Sequence, residues 1–261
     1  MFKSIFKLIV LIVLFAACSE INRDNLLDPK NPDSYSETPI LIEAFVNTAF
    51  EYDLYALEAL NKLEDQFGDE INFEIIEYHR PHPLDSTSSD PYTVQKFSDL
   101  HTEYVNNYDE IKAVPDIFFN GGQGMFRGAY DNVDYIYSKL TAILSDLAGQ
   151  QSEYSIEVNL ETSGNLLDIK YRLARLGDTE DSDLELYYCL IKDYDTPYTR
   201  KVVDLSNYPD VENINRIKKG EYVEGSIENL PCPNKPKYAI FSIKKKDDIT
   251  ILKTLKKEIP W

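Results

Sequence analysis

The hydrophobic pattern changes character three times along the chain. Residues 8–17 are an almost unbroken apolar run. Residues 40–46 (Ile-Leu-Ile-Glu-Ala-Phe-Val) form a second, shorter run, as expected of a central strand buried on both faces. From residue 53 the period becomes helical. Leu57, Leu60, Leu63 and Phe67 fall on one stripe, and Gly68 is a stop signal. Residues 71–78 read as a strand, and 79–89 as a Pro/Ser-rich loop. Asp90 and Pro91 then look like the start of a helix with Val94, Phe97, Leu100, Tyr104 and Tyr108 on its face. Residues 116–119 predict a short strand, and Gly121, Gly122 and Gly124 a turn into 125–129. Asp131 is the expected cap of a last helix that turns Val133, Ile136, Leu140, Leu144 and Leu147 inward. From residue 150 the period falls to two: Tyr154, Ile156, Val158 and Leu160 alternate with polar residues, as do Leu167, Ile169, Tyr171 and Leu173 across a Gly164-Asn165 turn. Residues 184–191 predict a third strand, and 238–243 with 249–255 a closing pair.

The order β-α-β-α-β-β-α over residues 39–149, with a proline opening the third strand, resembles a thioredoxin-like domain. The 40–45 strand leads to the place where that family's redox helix begins. Val114-Pro115-Asp116-Ile117-Phe118-Phe119-Asn120-Gly121 resembles the family's cis-proline segment and hairpin. Arg127-Gly128-Ala129 resembles the second hairpin strand. The alternating half, residues 150–261, predicts an antiparallel β-sandwich. The expected fold class is therefore an α/β thioredoxin-like domain followed by a β-sandwich. The combination resembles a group of bacterial outer-membrane lipoproteins.

The first run bears on localisation. Lys3 and Lys7 precede it, it is too short for a spanning helix, and Ala16 and Ala17 lead into Cys18. This is a secretory leader, residues 1–17, whose end resembles a lipobox. Phe15 departs from the residue usual at its place. The resemblance implies a lipid on Cys18, a membrane anchor in the cell envelope and, from the non-acidic Ser19, the outer membrane. Residues 18–38 are polar and turn-rich, as expected of a tether.

The chain of 261 residues carries 45 acidic and 27 basic groups, a net charge of −18. Removing the leader removes its two lysines and leaves −20. That balance argues against nucleic-acid binding, which needs a surplus of Lys and Arg. It also favours a body standing off the membrane.

The family's redox chemistry needs two cysteines, two residues apart, at a helix N-terminus. On the family pattern those places fall at Phe50 and Asp53, and Phe50-Glu51-Tyr52-Asp53 contains no sulfur. Thiol–disulfide exchange is excluded there, and Asp53 is expected as the helix cap. The resemblance leaves the backbone of Ala113 and Val114, before Pro115 and flanked by Phe50 and Tyr52, as an edge that could pair with an extended peptide. Cys189 and Cys232 could bridge in an oxidising compartment. Glu43, charged in a central strand, needs a partner, with Arg127 or Lys112 as candidates. Lys244, Lys245 and Lys246 read as a guarded strand edge.

These readings converge on a non-enzymatic, lipid-anchored envelope protein that binds a protein or peptide and carries no cofactor or metal. Two alternatives stand beside it. One is a metal-dependent enzyme using His79, His82 and His101. The other is a structural component that docks through the β-sandwich.

Overall fold

The computed structural model describes residues 27–28, 31, 34–81, 90–108, 112–113, 115–177, 183–204, 210–246 and 248–261. The leader, Cys18, most of the tether, His82 and Val114 lie outside the described residues. In chain order the elements are β1 (Ser36–Glu37), β2 (Ile40–Val46), α1 (Glu51–Phe67), β3 (Phe73–His79), α2 (Gln95–Asn106), β4 (Asp116–Phe119), β5 (Gly124–Arg127) and α3 (Val133–Leu147). They continue with β6 (Gln151–Ser152), β7 (Tyr154–Ser163), β8 (Leu166–Arg175), β9 (Leu184–Lys192), β10 (Val202–Val203), β11 (Asp210–Ile214), β12 (Tyr222–Pro231), β13 (Tyr238–Lys245) and β14 (Ile251–Glu258).

Nine strands make one sheet in the order β14-β13-β9-β10-β3-β2-β4-β5, with β11 also paired to β9. β12-β8-β7 form a second sheet, and β1 pairs with β6. Every residue of β2 is buried. It runs parallel to β3 and antiparallel to β4. On one face Ile40, Ile42, Ala44 and Val46 meet the inner stripes of α1 and α3. On the other, Leu41 and Phe45 meet α2 together with Cys189, Ile191 and Ile240 from β9 and β13. A third core lies between β7–β8 and the opposite face of β9 and β13, where Leu186, Tyr188, Leu190, Ala239, Phe241 and Ile243 point.

The fold class expected from the sequence is overturned. The chain is mostly strand, with three helices among the described residues, and it falls in a β-sandwich-like class rather than an α/β thioredoxin-like one. The element order of residues 40–147 is largely as predicted, but β3 is not a free edge. Val202 of β10 pairs with Glu77, and β10 pairs in turn with β9, so the sheet runs on through residue 150 into the second half. A two-residue strand carries no periodicity, so the pattern could not show this continuation. β11 and β12, the latter with a bulge between Ile227 and Leu230, also went unpredicted.

Helix faces follow the predicted stripes, while two starts differ. The second helix begins at Gln95 after Val94, not at Asp90, and Asn132 rather than Asp131 caps the third, accepting from the Tyr135 N–H at 2.9 Å. The glycine turn joins β4 to β5 as a hairpin. Gly121 has φ +68, and a Cβ there would lie 1.7 Å from the Ile249 carbonyl oxygen, so the turn also seats the approach to β14. Asn120 beside it clips the two halves together. Its N–H and side-chain oxygen bond Leu41 (2.8 Å each), and its carbonyl accepts from the Ile251 N–H (3.1 Å).

Because the core around Phe45 is built by both halves, they should unfold together. The far-UV helix signal reports residues 51–147, and Trp261 fluorescence reports the second half. Their denaturation curves should coincide, and two separated transitions would contradict the shared core. Phe45→Ala should cost roughly 3–5 kcal/mol by the same measurement.

Candidate functional site

A network of buried, mutually bonded polar groups gathers where the parallel strands β2 and β3 end. β2 gives way to Asn47, whose N–H donates to Asp53 Oδ2 (2.6 Å) and whose side-chain amide donates to the Arg80 carbonyl (2.9 Å). The Arg80 N–H closes the corner on the Val46 carbonyl at 3.0 Å. Asp53 is therefore not the helix cap. Phe50 holds that position with no side-chain bond, and Asp53 sits inside the first turn of α1, fully buried, with its carboxyl folded back toward β2. Burial pushes that carboxyl up to about 8, against the pull of the Arg80 guanidinium and the Asn47 N–H.

His79 lies between two carboxylates, with Nδ1 2.7 Å from Asp90 Oδ2 and Nε2 3.3 Å from Glu77 Oε2. Burial opposes its charge, but these two bonds outweigh it and hold the imidazolium to about 9. Asp90 also accepts from the N–H groups of Thr48 (2.7 Å) and Tyr92 (2.9 Å), so it ties the loop down where a helix start was expected. His101, on α2, stacks on Phe45 and bonds Asp116 through Nε2 at 2.6 Å. Burial lowers its pKa in spite of that carboxylate. Asp116 further accepts from Arg127 Nε and from the Ala113 N–H, both at 2.9 Å.

The structure brings Asp53, Arg80 and Ala113 to one end of the sheet, and it binds the Ala113 backbone internally instead of leaving it as an open edge. Its N–H goes to Asp116, and its carbonyl accepts from Arg80 Nη2 at 2.6 Å. The Pro115 carbonyl accepts from the Gly128 N–H at 3.1 Å. At Ala113 no backbone group is left for an added peptide strand. Val114 lies outside the described residues. His79 and His101 serve separate carboxylates, and no group of three or more His, Cys, Asp or Glu among the described residues is arranged to hold a metal ion.

Cys189 and Cys232 are both buried and no disulfide joins them. Cys189 belongs to the core under α2 and Cys232 to the core between the sheets, so the two lie in different cores. Burial, first of all, pushes the Cys189 thiol far up, which makes it a poor nucleophile. Glu43 does not meet Arg127 or Lys112. Arg127 is bound to Asp116, and Lys112 to the Ser98 carbonyl (2.7 Å). Its partners are Tyr104, whose hydroxyl donates to Oε1 at 2.7 Å, and Lys244, whose Nζ donates to the Tyr104 oxygen at 2.8 Å. Lys244 is a buried residue of an inner strand, not a guarded edge. β13 has β9 on one side and β14 on the other. Lys244 lies on the face of β13 opposite Phe241 and Ile243, where Tyr104 of α2 and Tyr187 of β9 meet it.

Aromatic side chains reach the surface where α1 and α3 begin. Phe50 and Tyr52, both half-buried, approach within 5.2 Å of each other. Tyr130 and Tyr135, the one 39 % and the other 41 % exposed, lie 4.9 Å apart. Tyr55, on α1 beyond Tyr52, donates to Glu51 at 2.7 Å.

A sheet sandwich of mostly β composition with buried, mutually bonded charge is the class this chain defines. No protein-family model matches it, and no curated protein matches its sequence. Solved structures do. Protein AGR_C_4864 from Agrobacterium tumefaciens aligns at 17 % identity and a TM-score of 0.55, over 86 % of this chain and 96 % of its own. HBP35 of Porphyromonas gingivalis aligns at 13 % identity and a TM-score of 0.58, over 86 % and 76 %. At these identities the likeness is one of fold alone.

Asp53 makes stability pH-dependent with a definite sign. Its folded pKa of about 8 lies above the ordinary 3.8, so the folded state binds the extra proton. The stabilisation is complete below the ordinary value and is lost as pH rises toward 8. Asp53→Asn keeps an acceptor for the Asn47 N–H and removes the titration. Its denaturation free energy should fall less than that of wild type between pH 4 and 8, by on the order of a few kcal/mol. Equal slopes would show that Asp53 is ionised in the folded protein.

Proposed function

We propose that this protein is a lipid-anchored component of the bacterial cell envelope, held through Cys18, that works by binding a protein or peptide and not by catalysis. The observation that carries the binding half is the aromatic surface of Phe50, Tyr52, Tyr55, Tyr130 and Tyr135. Tyrosines combine a large apolar face with a hydroxyl that tolerates water, and they lose little conformational freedom on binding. The charge network bears on role as well. His79 and His101 are tied to Asp90, Glu77 and Asp116, which suits a rigid support better than a proton-transfer centre. The anchor rests on the apolar run and the Ala16-Ala17-Cys18 sequence after it. No described helix is long and apolar enough to cross a membrane. The acidic body suits a domain held off an anionic surface.

Two substitutions separate the halves of this reading. Cys18→Ala should move the protein from the membrane fraction to the soluble fraction of lysed cells, and unchanged partition would remove the anchor. Phe50→Arg, with unchanged circular dichroism, should lose a cross-linked envelope partner about tenfold or more, equivalent to ~1.4 kcal/mol. Equal capture by wild type and variant would take the binding role away from this surface.

A further inference from the structure

The second buried polar group of the molecule lies away from the aromatic surface, at the seam between the two halves. Glu43 of β2 is 1 % exposed. Oε1 accepts from Tyr104, and no donor stands within bonding distance of Oε2, although the Gly121 N–H and the Tyr78 hydroxyl also favour the charged carboxyl. Lys244 of β13 is 5 % exposed, and its ammonium has three donors. One goes to the Tyr104 hydroxyl, and the charge lies 4.3 Å from the Tyr187 ring centre. A cavity of about 20 Å³ opens between them, lined by Glu43, Tyr78, Tyr187, Cys189, Ser242 and Lys244. Space for one water needs roughly 10–15 Å³ and a site with at least two polar partners.

We propose that this cavity is a binding site for one water molecule, which donates to Glu43 Oε2 and accepts from Lys244 Nζ. The chemistry selects water over other small occupants. The ammonium repels a cation, the carboxylate repels an anion, and the volume excludes anything larger. Water is also the species that can donate to one group and accept from the other. Its place completes a chain running Glu43–Tyr104–Lys244–water–Glu43. That chain joins β2, α2 and β13, elements from both halves of the sheet.

The burial of Glu43 gives the site a purpose. Removal from water disfavours its charge, which Lys244 and the Tyr104 hydroxyl favour. A second hydrogen bond, at the oxygen with no donor within bonding distance, satisfies the remaining buried acceptor.

A crystal structure of the full chain at about 1.5 Å would test this directly. The proposal expects a single density peak within hydrogen-bond distance of both Glu43 Oε2 and Lys244 Nζ. An empty cavity, a side chain filling it, or a peak touching only one of the two groups would overturn it. Oxygen-17 relaxation dispersion offers an independent reading in solution. Ser242→Val narrows the cavity without touching either charge, and it should lower the count of long-lived waters by one. An unchanged count in a folded variant would also overturn the proposal. Should that variant not fold, the wild-type density decides alone.

Discussion

Burial of β2 on both faces is the constraint from which the rest of the architecture follows. A strand with Ile42, Ala44 and Val46 on one side and Leu41 and Phe45 on the other must be covered by two layers. α1 and α3 cover the first. α2 covers the second only in part, and the remaining area is closed by β9, β13 and the residues that lead into β14. This need for a second cover draws the two halves of the chain into one body. It also explains why Asn120 is bonded both to Leu41 and to Ile251.

The same constraint creates the polar chemistry. Glu43 points to the second face, where a lone carboxylate would be costly, so Tyr104 and Lys244 are carried to it from α2 and β13. At the strand ends the backbone leaves the sheet, and Asp53, His79, Arg80, Asp90 and Asp116 bind the departing loops to one another. These charges act mainly on structure. They fix the start of α1 and thereby the place of Phe50 and Tyr52.

Much of the first half was legible because its signals are local. Leu57, Leu60 and Leu63 on α1, and Ile136, Leu140 and Leu144 on α3, recur at helical spacing and are buried as that spacing requires. The alternation of β7 and β8 was equally readable, down to the turn at Gly164. Legibility stopped at contacts between distant segments. Cys189 and Cys232 looked able to bridge because an oxidising compartment permits it, yet side-chain alternation in β9 sends Cys189 to the opposite core. Ala113 looked like open backbone because nothing near it in sequence shows that Arg80, 33 residues away, will take its carbonyl, while Asp116, three residues on, folds back to its N–H.

The sequence by itself determined which segments are helix and strand across residues 40–175, which helix faces turn inward, and that no dithiol stands at Phe50 and Asp53. Each of these depends on residues within a few positions of one another, where periodicity and composition act directly. Tertiary structure alone decided the fold class, the partner of Glu43, the burial of Lys244 and the role of Asp53. Those depend on which edge β10 joins and on which face α2 covers. Both are settled by the area that must be removed from water, and that quantity exists only once distant parts of the chain have met.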